Sequence, residues 1–283
     1  MIPKNIIHLV PTLEGVGQDQ RRNLDAIAAQ NPGWNQIVLT DQEALEFVRK
    51  HYTQRHLDAL NLIDPAYGPA RSDLLRYLVL NKLGGIYLDN KSGMAKPLDD
   101  ILRPDDEFVL AQWGNGVGAV DENCGFHPEL NAVDGGEYIN WVIISRAGHP
   151  FLAAVIERVL SNIETYSAEA FGVGKNGTLR TTGPIAMTLA IHPILEKHPH
   201  RRVRSVPAGL LYAASGNGST HTLSHKLHYS RLLHPVVRLR QDAPLTKRMG
   251  AQIRRLLLLG VAWLRHQNRR RRYRSRLKRG KSL

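Results

Sequence analysis

Short apolar runs alternate with stretches of helical periodicity over residues 1–206. Runs of strand length occupy residues 5–10, 34–40, 86–88, 107–112, 138–145 and 202–206. Helical spacing of apolar residues occupies residues 20–30, 53–63, 70–83, 150–165 and 184–197, and another helix follows Asp41, its predicted N-cap. The glycine-rich segments 113–137 and 172–183 are predicted as loops. This order predicts an α/β fold with a mixed, mostly parallel sheet flanked by helices.

The most informative unit is residues 70–91, ARSDLLRYLVLNKLGGIYLDNK, which begins as a helix. Asp73, Arg76 and Tyr77 are spaced three and four residues apart, so on a helix they share one neighbourhood. A surface pair of Asp73 and Arg76 is the alternative, worth less than about 1 kcal/mol.

The same unit continues into a strand that ends in an acid. Gly84-Gly85 supplies the left-handed stop that ends a helix, and the apolar residues 86–88 are predicted as a short central strand. Asp89 follows at the carboxyl end of this strand, where open α/β sheets bind ligands. A ligand site is therefore expected at Asp89.

Length and composition limit the class of protein. The chain has 283 residues, 42% of them hydrophobic, enough for one large α/β domain or at most two small ones. The single cysteine, Cys124, excludes an intrachain disulfide and a thiol-based metal site. The start, MIPKNIIHLVPT, lacks the pattern of a signal peptide, and the apolar run 256–264 is shorter than the roughly twenty residues a span requires. We therefore expect a cytoplasmic protein without a membrane-spanning anchor.

The net charge of +13 lies in the C-terminal tail. From Lys247 onward there are fourteen Lys and Arg residues and no acid; removing them from 38 leaves 24 basic residues against all 25 acids. The body, residues 1–240, and the tail, residues 241–283, are therefore treated as separate units.

The tail has the pattern of a basic amphipathic helix over residues 245–264, followed by a polybasic end. This pattern predicts contact with an anionic membrane surface through residues 245–281. Nucleic acid is the less favoured partner, because Tyr273 is the main aromatic residue in the polybasic end for base stacking. A helix packed on the body and ending in a solvated tag is the third interpretation.

The stretch ARSDLLRYLVLNKLGGIYLD resembles the signature of glycosyltransferase family 32, the group with a DXD sugar-binding region. The sugar-transferring domains of the large clostridial toxins are similar at the same spacing. IPKNIIH, NPGWNQIVLTD, NWVIISRAGHPFL and TTGP extend the resemblance over residues 2 to 190. The resemblance implies a GT-A-type, Rossmann-like fold and a retaining transferase that uses a UDP- or GDP-sugar donor.

The resemblance also implies site residues. Asp73 would accept hydrogen bonds from hydroxyls of the donor sugar, with Arg76 beside it and Arg71 at the start of the motif. Asp89 would be the first acid of the DXD, close to ribose, sugar and cation. Gly84-Gly85 would let the backbone approach the donor closely.

Four further residues complete the predicted donor-binding set. Tyr87 is expected to pack in the sheet rather than touch the donor, and His8 to be structural rather than catalytic. Asn140 is either a donor contact or a strand-edge polar residue. Thr182 lies in a block that the resemblance places near the site.

The chain departs from the family pattern at Lys91, which replaces the second acid of the DXD. In most members that acid holds Mn²⁺ or Mg²⁺ on the donor diphosphate. Three interpretations stay open: Lys91 replaces the metal, with Asp73, Asp89 and Lys91 as the catalytic set; Lys91 pairs with Asp89 in a vestigial site; or Lys91 faces solvent while Asp89 and another residue hold the metal.

Two other features leave questions open. Pro11 stands where the family usually has a Trp near the nucleotide base, so the base is not identified. Among the many histidines of residues 192–234, His221 and His225 have a spacing that on a helix suits a metal, but polar loop histidines are the favoured interpretation.

The expected function is transfer of a sugar, with retention, from a nucleotide-diphosphate donor to a saccharide or lipid-linked glycan. Surface polysaccharide synthesis at the inner face of the cell membrane fits the basic tail. The alternative is a non-catalytic sugar-nucleotide or nucleic-acid binding protein.

Overall fold

The computed structural model describes residues 1–119, 121–197, 203–205, 209–212 and 228–238. The predicted tail, residues 241–283, and the pair His221 and His225 lie outside these residues. Within the described ranges, no helix combines the length and apolar character needed to cross a bilayer.

A six-stranded sheet forms the centre of the molecule, in the order β2-β1-β3-β6-β5-β7. Five strands run in one direction and β6 alone is reversed, being antiparallel to both β3 and β5. β4 and β8 form a separate antiparallel pair. The mixed, mostly parallel sheet is confirmed. The strands are β1 (Asn5–Val10), β2 (Asn35–Thr40), β3 (Gly85–Leu88), β4 (Gly93–Met94), β5 (Phe108–Leu110), β6 (Val142–Ser145), β7 (Val203–Ser205) and β8 (Leu210–Leu211).

Helices cover both faces of the sheet. They are α1 (Gln18–Gln30), α2 (Asp41–His51), α3 (Gln54–Leu62), α4 (Gly68–Leu83), α5 (Leu98–Ile101), α6 (Pro150–Glu164), α7 (Ala168–Phe171), α8 (Gly174–Thr181) and α9 (Pro184–Lys197), with short 3₁₀ turns at Pro128–Leu130 and Tyr229–Arg231. The N-cap of α2 is Thr40 rather than the predicted Asp41, because the Thr40 hydroxyl accepts from the Glu43 amide while the Glu43 carboxylate accepts from the Thr40 amide.

Two segments differ from the sequence prediction. Residues 172–183 are not a loop but contain α8, whose glycines allow close packing: a Cβ on Gly177 would lie 2.6 Å from the Gly172 carbonyl oxygen and 2.8 Å from Val236 Cγ2. The strand predicted at 138–145 is confined to β6, and before it Tyr138 makes only an isolated bridge to Gln112.

The helix–strand unit is buried at the centre of the fold. β3 lies between β1 and β6 with all four residues buried, which confirms a short central strand. α4 is buried from Asp73 through Leu80, on its polar as well as its apolar positions. Because a helix buried on every side cannot leave Asp73 and Arg76 in water, the surface-pair alternative is wrong.

Residues 228–238, here called the C-terminal strap, cross the helical face. The Tyr67 hydroxyl donates to the His234 carbonyl and accepts from the Gly174 amide. The Val236 amide donates to the Tyr166 hydroxyl at 2.9 Å, and Val237 bridges to residue 63. The strap is therefore tied to the start of α4, to α8, to the segment between α6 and α7, and to the end of α3.

Candidate functional site

Asp73 is the buried centre of the candidate site. It lies in α4 with 5% of its surface exposed. Its Oδ1 accepts from Asn140 Nδ2 at 3.0 Å, and its Oδ2 accepts from the Thr182 hydroxyl at 2.9 Å. Asn140 and Thr182 arrive from distant parts of the chain, so three residues of the predicted donor-binding set meet in one place.

The reversed strand explains how Asn140 reaches the site. Because β6 is antiparallel to β3, the start of β6 at Val142 pairs with the end of β3 at Leu88. Asn140, two residues before β6, therefore lies beside the carboxyl end of β3. Its amide also donates to the Tyr77 hydroxyl at 3.0 Å, and Tyr77 donates to the Thr182 carbonyl at 3.0 Å.

Arg76 links the two acids of the site. Its guanidinium lies 3.3 Å from Asp73 Oδ1 and 3.4 Å from Asp89 Oδ1. It also donates to the Asn140 carbonyl at 2.6 Å and stacks at 4.5 Å over the Tyr87 ring. This buried positive charge offsets the two carboxylates and fixes their separation.

Asp89 is the more accessible acid, with 23% of its side chain exposed. Its Oδ1 accepts from the Tyr87 hydroxyl at 2.7 Å. Burial raises the pKa of Tyr87 well above its ordinary value, so Tyr87 remains a neutral donor. Tyr87 thus supports Asp89 from inside the sheet, as its predicted packing role implies.

A closed turn carries Lys91 out of β3. The Ser92 amide donates to the Asp89 carbonyl at 2.8 Å, and the Asn23 amide of α1 donates to the Asn90 and Ser92 carbonyls at 3.2 and 2.8 Å. The Lys91 ammonium lies 5.7 Å from the centre of the Tyr212 ring. The turn and the ring together fix where Lys91 stands.

The Asp73 carboxyl has an unusual proton affinity. Burial raises its pKa from 3.8 to about 6, against the lowering effects of the Arg76 charge and the Thr182 and Asn140 hydrogen bonds. Ionised, it accepts hydrogen bonds on both oxygens and retains lone pairs for ligand hydroxyls. It can therefore hold a polyhydroxylated ligand.

His8 supports the site from β1. Its Nδ1 lies 2.9 Å from the Leu88 carbonyl oxygen, the last residue before Asp89, and its ring is fully buried. Burial lowers its pKa to about 4, although the Leu88 hydrogen bond and the Asp89 charge both raise it. The neutral ring can donate from Nδ1 to that carbonyl and hold the end of β3 in place.

Three predicted donor-binding residues lie elsewhere. Arg71 donates to the Leu60 carbonyl at 3.2 Å, towards α3. Gly84 and Gly85 stand at the start of β3, at the opposite end from Asp89. Cβ atoms there would lie 2.6 Å from the Ala147 amide nitrogen and 2.4 Å from the Asn5 carbonyl oxygen. These two glycines permit close approach of the protein's own backbone, and their role toward the donor stays a prediction.

Aromatic residues that the sequence analysis did not select line the Lys91 side. The Tyr212 ring lies 5.3 Å from the Trp113 ring and 5.4 Å from the Trp141 ring. Trp113 is held by a 2.8 Å hydrogen bond to Glu137. Trp113 is a large aromatic residue in an otherwise polar, glycine-rich loop, and this contrast could have indicated from the sequence that it belongs to the site. Tyr229 of the strap also lies close enough for its pKa, raised to about 12 chiefly by burial, to respond to the Asp73 charge.

The acids present do not fit a metal site built on carboxylates. Within the described ranges, no three His, Cys, Asp or Glu side chains are grouped to hold a metal ion. Mg²⁺ and Mn²⁺ need several oxygen ligands. Asp73 is buried, Asp89 offers a single carboxylate, and an ammonium occupies position 91 in place of a second acid.

Comparison with known proteins places this geometry in context. Residues 17–109 match the family described as "Glycosyltransferase sugar-binding region containing DXD motif". Mannosyl phosphorylinositol ceramide synthase SUR1 of Saccharomyces cerevisiae is 30% identical over 36% of this chain and 26% of its own length. Inositol phosphoceramide mannosyltransferase 1 of Schizosaccharomyces pombe is 26% identical over 79% of this chain and 60% of its own length. The chain thus spans between about a quarter and three fifths of these relatives.

A solved structure, the PaToxG glycosyltransferase, superposes with a TM-score of 0.51 over 70% of both chains at 16% identity, which supports a shared fold. The family match and both fungal relatives agree with the resemblance seen in the sequence. Residues 17–109 are therefore similar to the sugar-binding region of DXD-type glycosyltransferases, and the chain has a GT-A-like α/β fold.

Proposed function

We propose that the protein transfers a sugar, with retention, from a nucleotide-diphosphate donor to a saccharide or lipid-linked acceptor. The observation that carries the proposal is the buried Asp73 carboxylate, held by Asn140 and Thr182 and linked through Arg76 to the partly exposed Asp89. A preorganised carboxylate at the carboxyl end of a central strand is suited to fix sugar hydroxyls.

The proposed roles of the two acids differ with the solvent exposure of their side chains. Asp73 is the buried acceptor for donor-sugar hydroxyls, with Arg76 holding its position. Asp89, which faces outward, accepts from hydroxyls nearer the entrance. Asn140 and Thr182 keep both Asp73 oxygens oriented. Binding of the sugar therefore costs little free energy for reorientation of the carboxylate.

Retention can follow a front-face route, in which the acceptor hydroxyl attacks on the face from which the diphosphate departs. The bond from the anomeric carbon to the diphosphate oxygen breaks as the bond to the acceptor oxygen forms. The departing diphosphate oxygen takes the acceptor proton. This route needs no protein base beside the acceptor.

The fungal relatives guide the choice of substrates. Their names describe mannosyl transfer to inositol phosphoceramide. We propose mannose as the first donor sugar to test and a phosphorylated, lipid-linked acceptor as the first acceptor class. A role in bacterial-type surface polysaccharide synthesis remains part of the same proposal.

The basic segment 245–281 fits a lipid acceptor. Its Lys and Arg residues would hold the protein at an anionic membrane, each contributing about 1 kcal/mol near the surface. Cosedimentation with vesicles of anionic or neutral lipid tests this. Binding that needs anionic lipid and is lost after truncation at residue 240 supports the proposal; equal binding of both chains contradicts it.

The activity test is hydrolysis and transfer across UDP- and GDP-sugars, mannose included, by wild type and Asp73→Asn. We expect turnover of at least one donor, a product of retained anomeric configuration by NMR, and a roughly 10- to 100-fold loss of kcat/KM in Asp73→Asn. Asp25→Asn is the matched control, since Asp25 is exposed on α1. Donor binding without turnover would favour the non-catalytic sugar-nucleotide binding protein, and the absence of both would contradict sugar transfer.

A further inference from the structure

We propose that Lys91, held over the Tyr212 ring, supplies the positive charge at the leaving diphosphate that a divalent cation supplies in metal-dependent sugar transfer. The inference rests on the proposed function, because it concerns the diphosphate of that donor. It makes the reaction independent of added metal.

The position of Lys91 is the first support. It lies two residues beyond Asp89, in the place of the second acid of the DXD. The Asp89–Ser92 turn and the two hydrogen bonds from Asn23 fix the backbone on either side of it. Its Cα therefore cannot drift far from the end of β3.

The contact with Tyr212 is the second support. A cation within roughly 6 Å of a ring centre is attracted to the ring face, and the Lys91 ammonium lies at 5.7 Å. Tyr212 is itself wedged against Trp113 and Trp141. Burial raises the pKa of Tyr212, and the Asp89 charge adds to this rise.

The charge balance is the third support. Arg76 is already shared between Asp73 and Asp89 and has 7% of its side chain exposed, so it is committed to the acids. The acids do not assemble a metal site in the described part of the chain. Lys91 is half-buried. Because it is partly shielded from water, its ammonium attracts a bound anion more strongly than a fully solvated one would, while it remains within reach of a ligand.

The role follows from the bond that breaks. Cleavage of the bond between the anomeric carbon and the diphosphate oxygen moves an electron pair onto the diphosphate. Lys91 stays an ammonium throughout and donates hydrogen bonds to those oxygens, while the acceptor proton goes to the departing oxygen. Preorganised charge at this point stabilises the transition state.

Calorimetric binding of UDP and GDP in EDTA tests the inference without relying on turnover. We expect wild type to bind at least one of them, and Lys91→Ala to bind it roughly 10- to 100-fold more weakly. Affinity for the matching nucleoside, uridine or guanosine, should be unchanged, since it carries no phosphate. Lys96→Ala is the matched control, because Lys96 is exposed five residues further on.

Lys91→Asp, which restores the acid–x–acid pattern, gives a second readout. The variant should lose binding in EDTA and regain it when Mn²⁺ is added, whereas binding to wild type should be unaffected by Mn²⁺. Tyr212→Ala should weaken diphosphate binding roughly two- to fivefold, and Tyr212→Phe should not, because the ring face is kept. Circular dichroism on each variant confirms that it is folded.

The outcomes separate the two proposals. If wild type needs Mn²⁺ to bind and Lys91→Ala behaves like wild type, the lysine inference is overturned while sugar transfer stands. If wild type binds no nucleotide diphosphate under any condition, both fail. Loss of nucleoside binding together with diphosphate binding in Lys91→Ala also overturns the inference, because it indicates a structural role.

Discussion

Asp73 has two protonation states within the range of ordinary buffers, because burial raises its pKa to about 6. Only the ionised carboxylate is a pure hydrogen-bond acceptor, and sugar hydroxyls need acceptors. The charges of Arg76 and Asp89 and the hydrogen bonds from Thr182 and Asn140 all contribute to this balance. The proton on Asp73 therefore bears directly on the proposed binding of a donor sugar.

We expect kcat/KM to fall as pH drops through about 6, where Asp73 takes up its proton. The pH profile of donor turnover between pH 4.5 and 8 measures this. In Thr182→Val the acidic limb should move to higher pH, because the lost hydroxyl bond is one of the interactions that lowers the Asp73 pKa. If the acidic limb of the pH profile does not shift in Thr182→Val, the titrating group is a residue other than Asp73.

His8 should make the stability of the fold decrease as pH falls. Its pKa is about 4 when folded and 6.5 when exposed, so the unfolded chain binds the extra proton. This stability is present above pH 6.5 and is lost as pH falls to 4, amounting to about 3 kcal/mol.

The variant His8→Asn can keep a donor towards the Leu88 carbonyl but does not titrate. Urea unfolding at pH 7 and 4.5 should therefore show wild type losing about 2–3 kcal/mol more than His8→Asn between the two values. Equal losses in the two proteins would mean that the buried ring does not resist protonation.

The sequence predicted the acids of the site better than their partners. Asp73, Arg76 and Asp89 fall within one motif, so a local pattern could identify them. Asn140 and Thr182 are brought to Asp73 across 67 and 109 residues, and only the resemblance pointed to them. Tyr212 was missed, since neither spacing nor periodicity connects it with Lys91.

At the scale of elements, periodicity predicted the strands and long helices well but failed at α8. Gly174 and Gly177 were interpreted as loop residues because glycine disfavours helices. In the fold they serve close packing against the strap and Gly172, which offsets that cost. Contacts with the strap outweigh the low helix propensity of these glycines, and such long-range contacts cannot be predicted from the spacing of residues within the segment.

The junction between α4 and β3 should be intolerant of side chains. Gly85 has φ of +112°, and a Cβ there would lie 2.4 Å from the Asn5 carbonyl oxygen of β1. We expect Gly85→Ala to lower the free energy of unfolding by at least about 2 kcal/mol in urea titrations.

Gly68→Ala, at the start of the same helix, serves as the control for Gly85→Ala. A Cβ at Gly68 meets nothing within 4 Å, so the change should be close to neutral or slightly stabilising. Similar destabilisation of both variants would mean that backbone entropy, not the contact with β1, dominates at the junction.

At the scale of the whole molecule, the strap joins segments that are far apart in sequence. Through Tyr67 it connects α4, which carries Asp73, with α8, which leads to Thr182. The strap also brings Tyr229 to the site. The order of the donor pocket should therefore depend on a contact outside it.

Tyr67→Phe tests this dependence, because it removes one hydroxyl and leaves the Gly174 amide and the His234 carbonyl unpaired. We expect a loss of about 1–3 kcal/mol in stability. Hydrogen exchange should accelerate at the strap amides of Val236 and Arg238 and remain unchanged in α1. Uniform acceleration would show that the strap does not open separately.

The two side chains that hold the Asp73 carboxylate both lie beyond residue 109, where the match to the sugar-binding family ends. A fragment ending there would keep both acids and the arginine. The buried Asp73 carboxylate would, however, lack the hydrogen-bond donors Asn140 and Thr182. Residues 17–109, which match the family, are thus not expected to form the site when separated from the rest of the chain. Its working form is completed by a reversed strand and a helix end that the rest of the chain must supply.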